Sequence, residues 1–468
     1  MAENTMQYKK QKELFGHPVG LYILFFTEMW ERFSYYGMRA ILVLYLVAET
    51  VSDNAGLGWT NNEALELYGW YTMFVYVASI PGGWIADKFL GQKKSVLYGG
   101  ILLVAGHSIL AVEEMWAFYT GLGLIVAGVG MLKPNISTMV GGLYKKGDIR
   151  RDKGFTIFYI GINVGAFLSS LIVGYVGEVY GWHYGFGLAG IGMALGLLQY
   201  VLGQKHLKYV GNNTNTSENE EEKAAMKRDL NKEEKDRVVV LFISFLMVIV
   251  FWGAFEQAGG LMNIYASEKT NRMLMGWEVP ASWFQSLNAM FIIIFGTLVA
   301  GYWAKRKLKG KVSTSLFKMC IGLIIMGAGF FFMTGASAQY NIDGSSAMYW
   351  LVAAYLFHTI GELCLSPVAL SYITKLAPLK YASLMMGVYF AMTGLGNKVA
   401  GLLGESASNL GEYTVFTGIA IFCVAFGVLV LVFRKKLEKL THGAEDNERE
   451  MLEQENYELA DEDINKPL

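Results

Sequence analysis

Proline is scarce in this sequence and cysteine scarcer, with 7 and 3 in 468 residues. Cys320, Cys364 and Cys423 each sit inside an apolar run, which excludes a disulfide framework and marks them as small core residues. Charge is also low. Asp, Glu, Lys and Arg make up 17% of the chain, against about 25% in a typical soluble domain. The formal net charge of −1 gives no reason to expect a nucleic-acid partner. A metal-ligand cluster, a nucleophile elbow and a phosphate-binding loop are all missing, which argues against an enzyme and against a cofactor. No short cleavable apolar segment precedes the first long run, so that run is expected to act as its own insertion signal.

What the chain has instead is apolar length. It is 53% hydrophobic, and its apolar residues fall in runs of about 20, the length a helix needs to cross hydrocarbon. Backbone polar groups cannot go unpaired in lipid, so the runs are expected to be helices. Twelve candidate spans centre on 20–47, 66–86, 95–112, 116–143, 154–178, 184–203, 238–266, 281–304, 313–335, 347–375, 382–404 and 412–433. Basic residues mark alternate loops: Lys9, Lys10 and Lys12, then Lys88, Lys93 and Lys94, then Lys145, Lys146, Arg150 and Arg151. Lys305, Arg306 and Lys307 follow span eight, and Arg434, Lys435 and Lys436 follow span twelve. The other loops are mostly acidic; the 266–281 loop, with Lys269 and Arg272, is the exception. The positive-inside rule then predicts a multi-pass protein of the plasma (inner) membrane with both termini cytoplasmic.

The polar segment 204–237 divides the spans six and six. The expected organisation is a first six-helix bundle over 1–203, a cytoplasmic linker over 204–237, a second bundle over 238–434 and an acidic tail over 435–468. An internal echo supports related halves: GWIADKFLGQKK begins at Gly83 after span two, and GYWAKRKLKGKV begins at Gly301 after span eight. Two pseudo-symmetric bundles predict a site at their interface, near the membrane midplane.

The spans fail to exclude charge. Span one holds Glu28, Glu31, Arg32 and Arg39; Lys133, Glu256, Glu362 and Lys398 lie in spans four, seven, ten and eleven. Facing lipid, each would cost about 2.5–3.5 kcal/mol, so they are expected to face a polar cavity or one another. At about 100° per residue, Glu28, Glu31, Arg32, Tyr35 and Arg39 fall within about 60° of Glu28 on one helical face. Arg32 stands four residues after Glu28, the spacing of a direct ion pair. The bland alternative is a set of ion pairs that only lock helices together. Lys133 precedes Pro134, which breaks the backbone ladder and is expected to bend span four. Lys398, near the end of its span, reads as a snorkelling side chain. His107 reads as a hydrogen-bonded core residue, and His358 lies one turn before Glu362.

Several motifs together resemble the proton-dependent oligopeptide transporter family of the major facilitator superfamily, in a prokaryotic-like form. EMWERFSYYG, from Glu28 to Gly37, matches ExxERFxYYG. FYIGINVG, from Phe158 to Gly165, matches FYxxINxG, and GGWIADK, from Gly82 to Lys88, is similar to the superfamily's cytoplasmic loop motif. Lys133-Pro134-Asn135, Phe251-Trp252 with Glu256-Gln257, and GELCLSP from Gly361 to Pro367 follow in order. The resemblance implies an all-α major facilitator fold and a symporter that imports di- and tripeptides with protons by alternating access. It implies that Glu28, Glu31 and Arg32 couple protons. Arg39 and Lys133 would meet the peptide carboxylate, and Glu362 its ammonium. Asn163 and Asn288 would bond its termini or backbone, and Tyr35, Tyr76 and Trp252 would line side-chain pockets, with Glu256 and Ser366 completing the set. Arg39 and Glu256 are expected to pair across the halves. The polar 204–237 loop replaces the two extra helices of many prokaryotic members. Phe255 replaces one of two adjacent acids, and Tyr389 stands where tryptophan is usual. The alternatives are a same-fold transporter of a peptide-like drug or nitrate, or a membrane nutrient sensor.

Overall fold

A computed structural model of the chain describes residues 11–145, 148, 150–212, 229–378 and 381–445. Lys9, Lys10, Lys146, most of the 204–237 linker and the tail beyond 445 lie outside the described residues. The apolar runs form helices in the expected places. They are α1 (Val19–Val47), α2 (Asn61–Val77), α3 (Ser79–Ile85), α4 (Gln92–Leu110), α5 (Met115–Gly142), α6 (Arg150–Val179) and α7 (Trp182–Gly203). The second half supplies α8 (Lys232–Phe255), α9 (Leu261–Glu268), α10 (Ser286–Leu308), α11 (Ser315–Asp343), α12 (Met348–Leu376), α13 (Ala382–Leu410) and α14 (Glu412–Lys439). Counting α2–α3 and α8–α9 as broken single spans, the described residues contain twelve. Eight are long and apolar enough to cross a membrane by length and composition alone.

Local chemistry sets several boundaries. Thr60 and Glu63 form a reciprocal capping box at the start of α2, and Asn231 and Glu234 form another at α8. That second cap starts α8 at Lys232, before the expected residue 238. Three expectations change. GGWIADK is not a loop: Gly82 and Gly83 lie within α3, and Ala86–Leu90 continue as a π turn. The seventh span is interrupted, because Glu256–Ala258 tighten into a 3-10 turn before Gly259 and Gly260. Lys398 is not at a helix end, since α13 runs to Leu410. It is buried, 3.3 Å from Glu405 and 4.7 Å from the Trp70 ring centre.

The two bundles repeat the same packing scheme. In the first, α1 packs on α6, α4 on α5 and α7, and α3 on α5. In the second, α8 packs on α13, α11 on α12 and α14, and α10 on α12. Across the interface α2 meets α13 and α6 meets α10, which are again equivalent positions. Small residues permit the first crossing: a Cβ on Gly69 would lie 3.0 Å from the Gly401 Cα. Pro134 sits inside a continuous α5. It cannot donate to the Gly130 carbonyl, and Gly82 packs there so closely that a Cβ would stand 2.0 Å from that oxygen. By direction, α1 starts and α14 ends on one face of the molecule, here called the termini face.

Candidate functional site

The interface between the bundles encloses a cavity of about 260 Å³, near the small end for a small-molecule site. Its first-bundle wall is mostly basic and phenolic, with one acid: Glu28, Arg32, Tyr36 and Arg39 from α1, Tyr76 from α2, Lys133 from α5, Tyr159 and Asn163 from α6. Its second-bundle wall is acidic and aromatic: Trp252 and Glu256 from the eighth helix and its turn, Asn288 from α10, Glu362 and Ser366 from α12, and Tyr389 from α13. Towards the termini face the wall includes the exposed Ser137, Tyr159 and Leu370. The cavity therefore opens that way.

The other face is closed by contacts between bundles. Arg39 donates from Nη1 to both Glu256 carboxylate oxygens, each at 3.0 Å, and the Tyr68 hydroxyl donates to Glu256 Oε2 at 2.8 Å. All three side chains are buried. The 3-10 turn places Glu256 here, and Gly259 makes room, because a Cβ on it would stand 2.0 Å from the Tyr68 hydroxyl. The amides of Asn263 and Gln285 both donate to the Ala40 carbonyl, at 2.8 and 3.3 Å. Glu178, at the end of α6, accepts from the backbone N–H groups of Ala281 and Ser282 at 2.8 Å each.

Arg32 Nε stands 3.0 Å from Glu28 Oε1 and 2.5 Å from Glu31 Oε2. One guanidinium thus faces two carboxylates. Lys133 Nζ lies 3.9 Å from the centre of the Tyr76 ring, a close cation–π contact. Asn288 donates to Glu362 Oε2 at 2.8 Å and to Thr359 Oγ1 at 3.1 Å. Among the described residues no ion pair joins Lys133 to Glu362. Glu28 Oε2, Arg32 Nη2 and Trp252 Nε1 have no partner, and unpaired polar atoms of this kind are costly unless a polar solute meets them.

Of the expected site residues, Glu31 and Tyr35 are not in the cavity wall. Tyr36 takes the place foreseen for Tyr35. The arc of α1 facing the cavity centres about 40° beyond Glu28, close to Arg32, so Glu31 and Tyr35 turn towards the interior of the first bundle. Tyr68, Tyr159, Gln285 and Tyr355 were not foreseen. Tyr36 and Tyr159 stand inside the quoted motifs, so their positions were available; Tyr68 and Tyr355 carried no pattern. His107 is buried with neither ring nitrogen bonded, so the expected hydrogen bond is absent. His358 lies against Phe330, ring centres 4.4 Å apart and tilted by 31°, with Nε2 unpartnered.

A family model described as POT family matches residues 93–223 and 212–416. The chain belongs to the POT family. This transporter is 37% identical to "Uncharacterized transporter YclF" of Bacillus subtilis, over 94% of this chain and 98% of that one. It is 34% identical to "Peptide transporter YePEPT" of Yersinia enterocolitica, over 92% and 97%. The "Di-/tripeptide transporter" of Lactococcus lactis subsp. cremoris is 33% identical over 92% and 98%. Among solved structures it is similar to a peptide transporter POT in complex with sulfate, with TM-score 0.85 and 35% identity over 92% and 97%. A POT family transporter in complex with 5-aminolevulinic acid gives TM-score 0.83 and 31% identity over 91% and 98%. The transporter thus has the major facilitator fold and sits in a membrane.

Proposed function

We propose that this protein is a proton-coupled symporter that imports di- and tripeptides by alternating access. The carrying observation is the polarity of the cavity: Lys133, held only by its cation–π contact, and the ion-paired Arg39 on the first-bundle wall, and the carboxylates of Glu256 and Glu362 on the second. A short peptide is zwitterionic, and its two ends need opposite poles set apart across a cleft. Arg39 and Lys133 serve the carboxylate, and Glu362, held by Asn288, serves the ammonium. Asn163, Ser366, Tyr36, Tyr76 and Trp252 complete the site. Three relatives support the substrate class by name or ligand: two are peptide transporters, and one solved structure holds an amino acid.

Glu28, Glu31 and Arg32 form the coupling cluster. With two acids on one base, a single proton neutralises the set. The positive-inside pattern puts the termini face in the cytoplasm, so the cavity opens inwards, and Arg39–Glu256 holds the outer face shut. The chain is read as bundles over 1–203 and 238–434, a linker over 204–237 and a cytoplasmic tail over 435–468. The bilayer and protons are its partners. The test is uptake of labelled dialanine into proteoliposomes under an imposed inward proton gradient. Accumulation that collapses with a protonophore is expected; uptake indifferent to the gradient refutes symport, and nitrate uptake in its place refutes the substrate class.

A further inference from the structure

A second cleft lies on the outside of the second bundle, away from the transport cavity. It is a groove of about 360 Å³ between α10, α11 and α12. Leu298, Tyr302 and Arg306 follow one another at four-residue spacing along α10. Phe317, Ile321 and Ile325 do the same along α11. These are two parallel stripes, one per helix. Leu298 and Tyr302 are 62% and 57% exposed, so the groove faces outwards, towards lipid in a membrane-spanning bundle. From Leu298 to Arg306 it runs about 12 Å along the helix. One leaflet of hydrocarbon is about 15 Å deep. Arg306 lies two residues before the end of α10, which puts it at the termini-side headgroup level and Leu298 in the acyl region.

Among the described residues, Arg306 is the only charged side chain in the groove wall. Its Nε donates to the Val312 carbonyl at 2.7 Å, and its guanidinium carbon lies 5.4 Å from the Phe317 ring centre. These contacts fix the group and leave its two Nη nitrogens to bind. Among the described residues it forms no ion pair, whereas nearby Arg434, which also lies over Phe317, pairs with Glu438 at 3.3 Å. Three residues deeper, about 4.5 Å along α10, the buried Trp303 lines the same groove, and its indole N–H meets no oxygen acceptor, only the weak sulfur acceptor of Cys364. The vertical order is therefore cation, then weakly held donor, then apolar trough. Phosphate, ester carbonyl and acyl chain occur in that order and at similar depths in a glycerophospholipid.

We infer that this groove is a binding site for one anionic glycerophospholipid of the termini-side leaflet. Its phosphate sits on Arg306, an ester carbonyl accepts from Trp303, and an acyl chain lies along Tyr302, Leu298, Ile321 and Ile325. The Lys318 ammonium, 5.9 Å from the Trp303 ring centre, adds positive potential beside the headgroup. A neutral headgroup leaves Arg306 without an anion, and a headgroup without tails leaves the trough unfilled. The inference does not depend on the identity of the transported solute.

The test uses the full chain purified in detergent and titrated with dioleoylphosphatidylglycerol or dioleoylphosphatidylcholine, with bound lipids counted by native mass spectrometry. One phosphatidylglycerol should be retained at least tenfold more tightly than phosphatidylcholine. Arg306→Gln should abolish that preference, Arg306→Lys should keep most of it, and Ile321→Trp should weaken retention of both lipids. Arg434→Gln should change none of these. Equal retention of phosphatidylglycerol by wild type and Arg306→Gln overturns the proposal. So does displacement by glycerophosphoglycerol at the lipid's own concentration, which would make the site a plain anion site. Loss of a lipid-free dimer on Ile321→Trp would instead assign the groove to a second copy of the chain.

Discussion

Replacing Glu256 with Gln should open the face that the structure shows closed. Glu256 is buried and takes three hydrogen bonds, two from Arg39 at 3.0 Å and one from Tyr68 at 2.8 Å. Gln retains the shape but leaves the buried Arg39 charge uncompensated. Removing one member of a buried pair costs about 3–5 kcal/mol. Both donors belong to the first bundle and the acceptor to the second, so the loss falls on the closed arrangement rather than on either bundle alone. Against it stand the bonds to the Ala40 carbonyl, worth about 1 kcal/mol each, and the carboxylate of Glu178 on two backbone N–H groups, at about 1.5–3 kcal/mol per bond. These remain, so the closed form survives at reduced weight. A shift of about 3 kcal/mol changes the closed-to-open ratio about 150-fold. Spin labels on Val51→Cys and Ile342→Cys would report it by pulsed electron resonance. Both sites are exposed on the closed face, one per bundle, and the native cysteines are buried. The variant should gain a longer-distance population, and Arg39→Met with Glu256→Met should lose most of it again. An unchanged distance distribution in a folded Glu256→Gln protein would show that this pair does not hold the gate.

Glu362→Gln should weaken competition by dipeptides more than by N-acetylated dipeptides in an uptake assay; equal losses would remove Glu362 from the ammonium site. Glu28→Gln with Glu31→Gln should abolish gradient-driven uptake but leave peptide counterflow in liposomes, and undiminished driven uptake would move coupling elsewhere. Gly259→Ala should cost about 1–3 kcal/mol in stability through its clash with the Tyr68 hydroxyl, and Tyr68→Phe in the same chain should recover part of the melting temperature. His17, outside the spans, bonds Tyr144 at 2.8 Å, and burial holds its pKa below the ordinary 6.5. The folded form therefore prefers the neutral ring. This contribution is full above pH 6.5 and is lost as the pH falls towards the lower folded value. Hydrogen exchange at residues 11–18, corrected for intrinsic rate, should rise between pH 7.5 and 5.5; constant protection would contradict the linkage.

How far the site could be read in advance varied residue by residue. Arg39, Lys133, Glu256 and Glu362 were legible because a charge in an apolar span has few places to go. The motif points to Tyr35, whereas Tyr36 lines the cavity, because a helical wheel gives relative angles and not which angle faces the cavity. A shift of about 40° in that centre decides between adjacent residues. Tyr68 and Tyr355 were illegible, since a buried tyrosine in a span looks the same whether it packs or bonds a carboxylate. The break at Glu256 was hidden for a related reason: the hydropathy of the seventh span runs on unbroken through it, and Tyr68, which bonds Glu256 there, arrives from another helix.

The sequence by itself determined the membrane class, the twelve spans, their alternating direction and the family. Each of these follows from local properties: apolar length against bilayer thickness, basic loops, and motifs within single helices. The pairing of Arg39 with Glu256 was expected from the sequence and is present; the tertiary structure alone decided which face is closed, that Tyr68 joins Arg39 on Glu256 and which side of α1 meets the cavity. It also decided the bond of Asn288 to Glu362. Those outcomes depend on residues as much as 245 positions apart, as Ala40 and Gln285 are, being brought within 3.3 Å. A difference of a few kcal/mol between two packings of the same bundles settles them, and no local pattern in the chain records that difference.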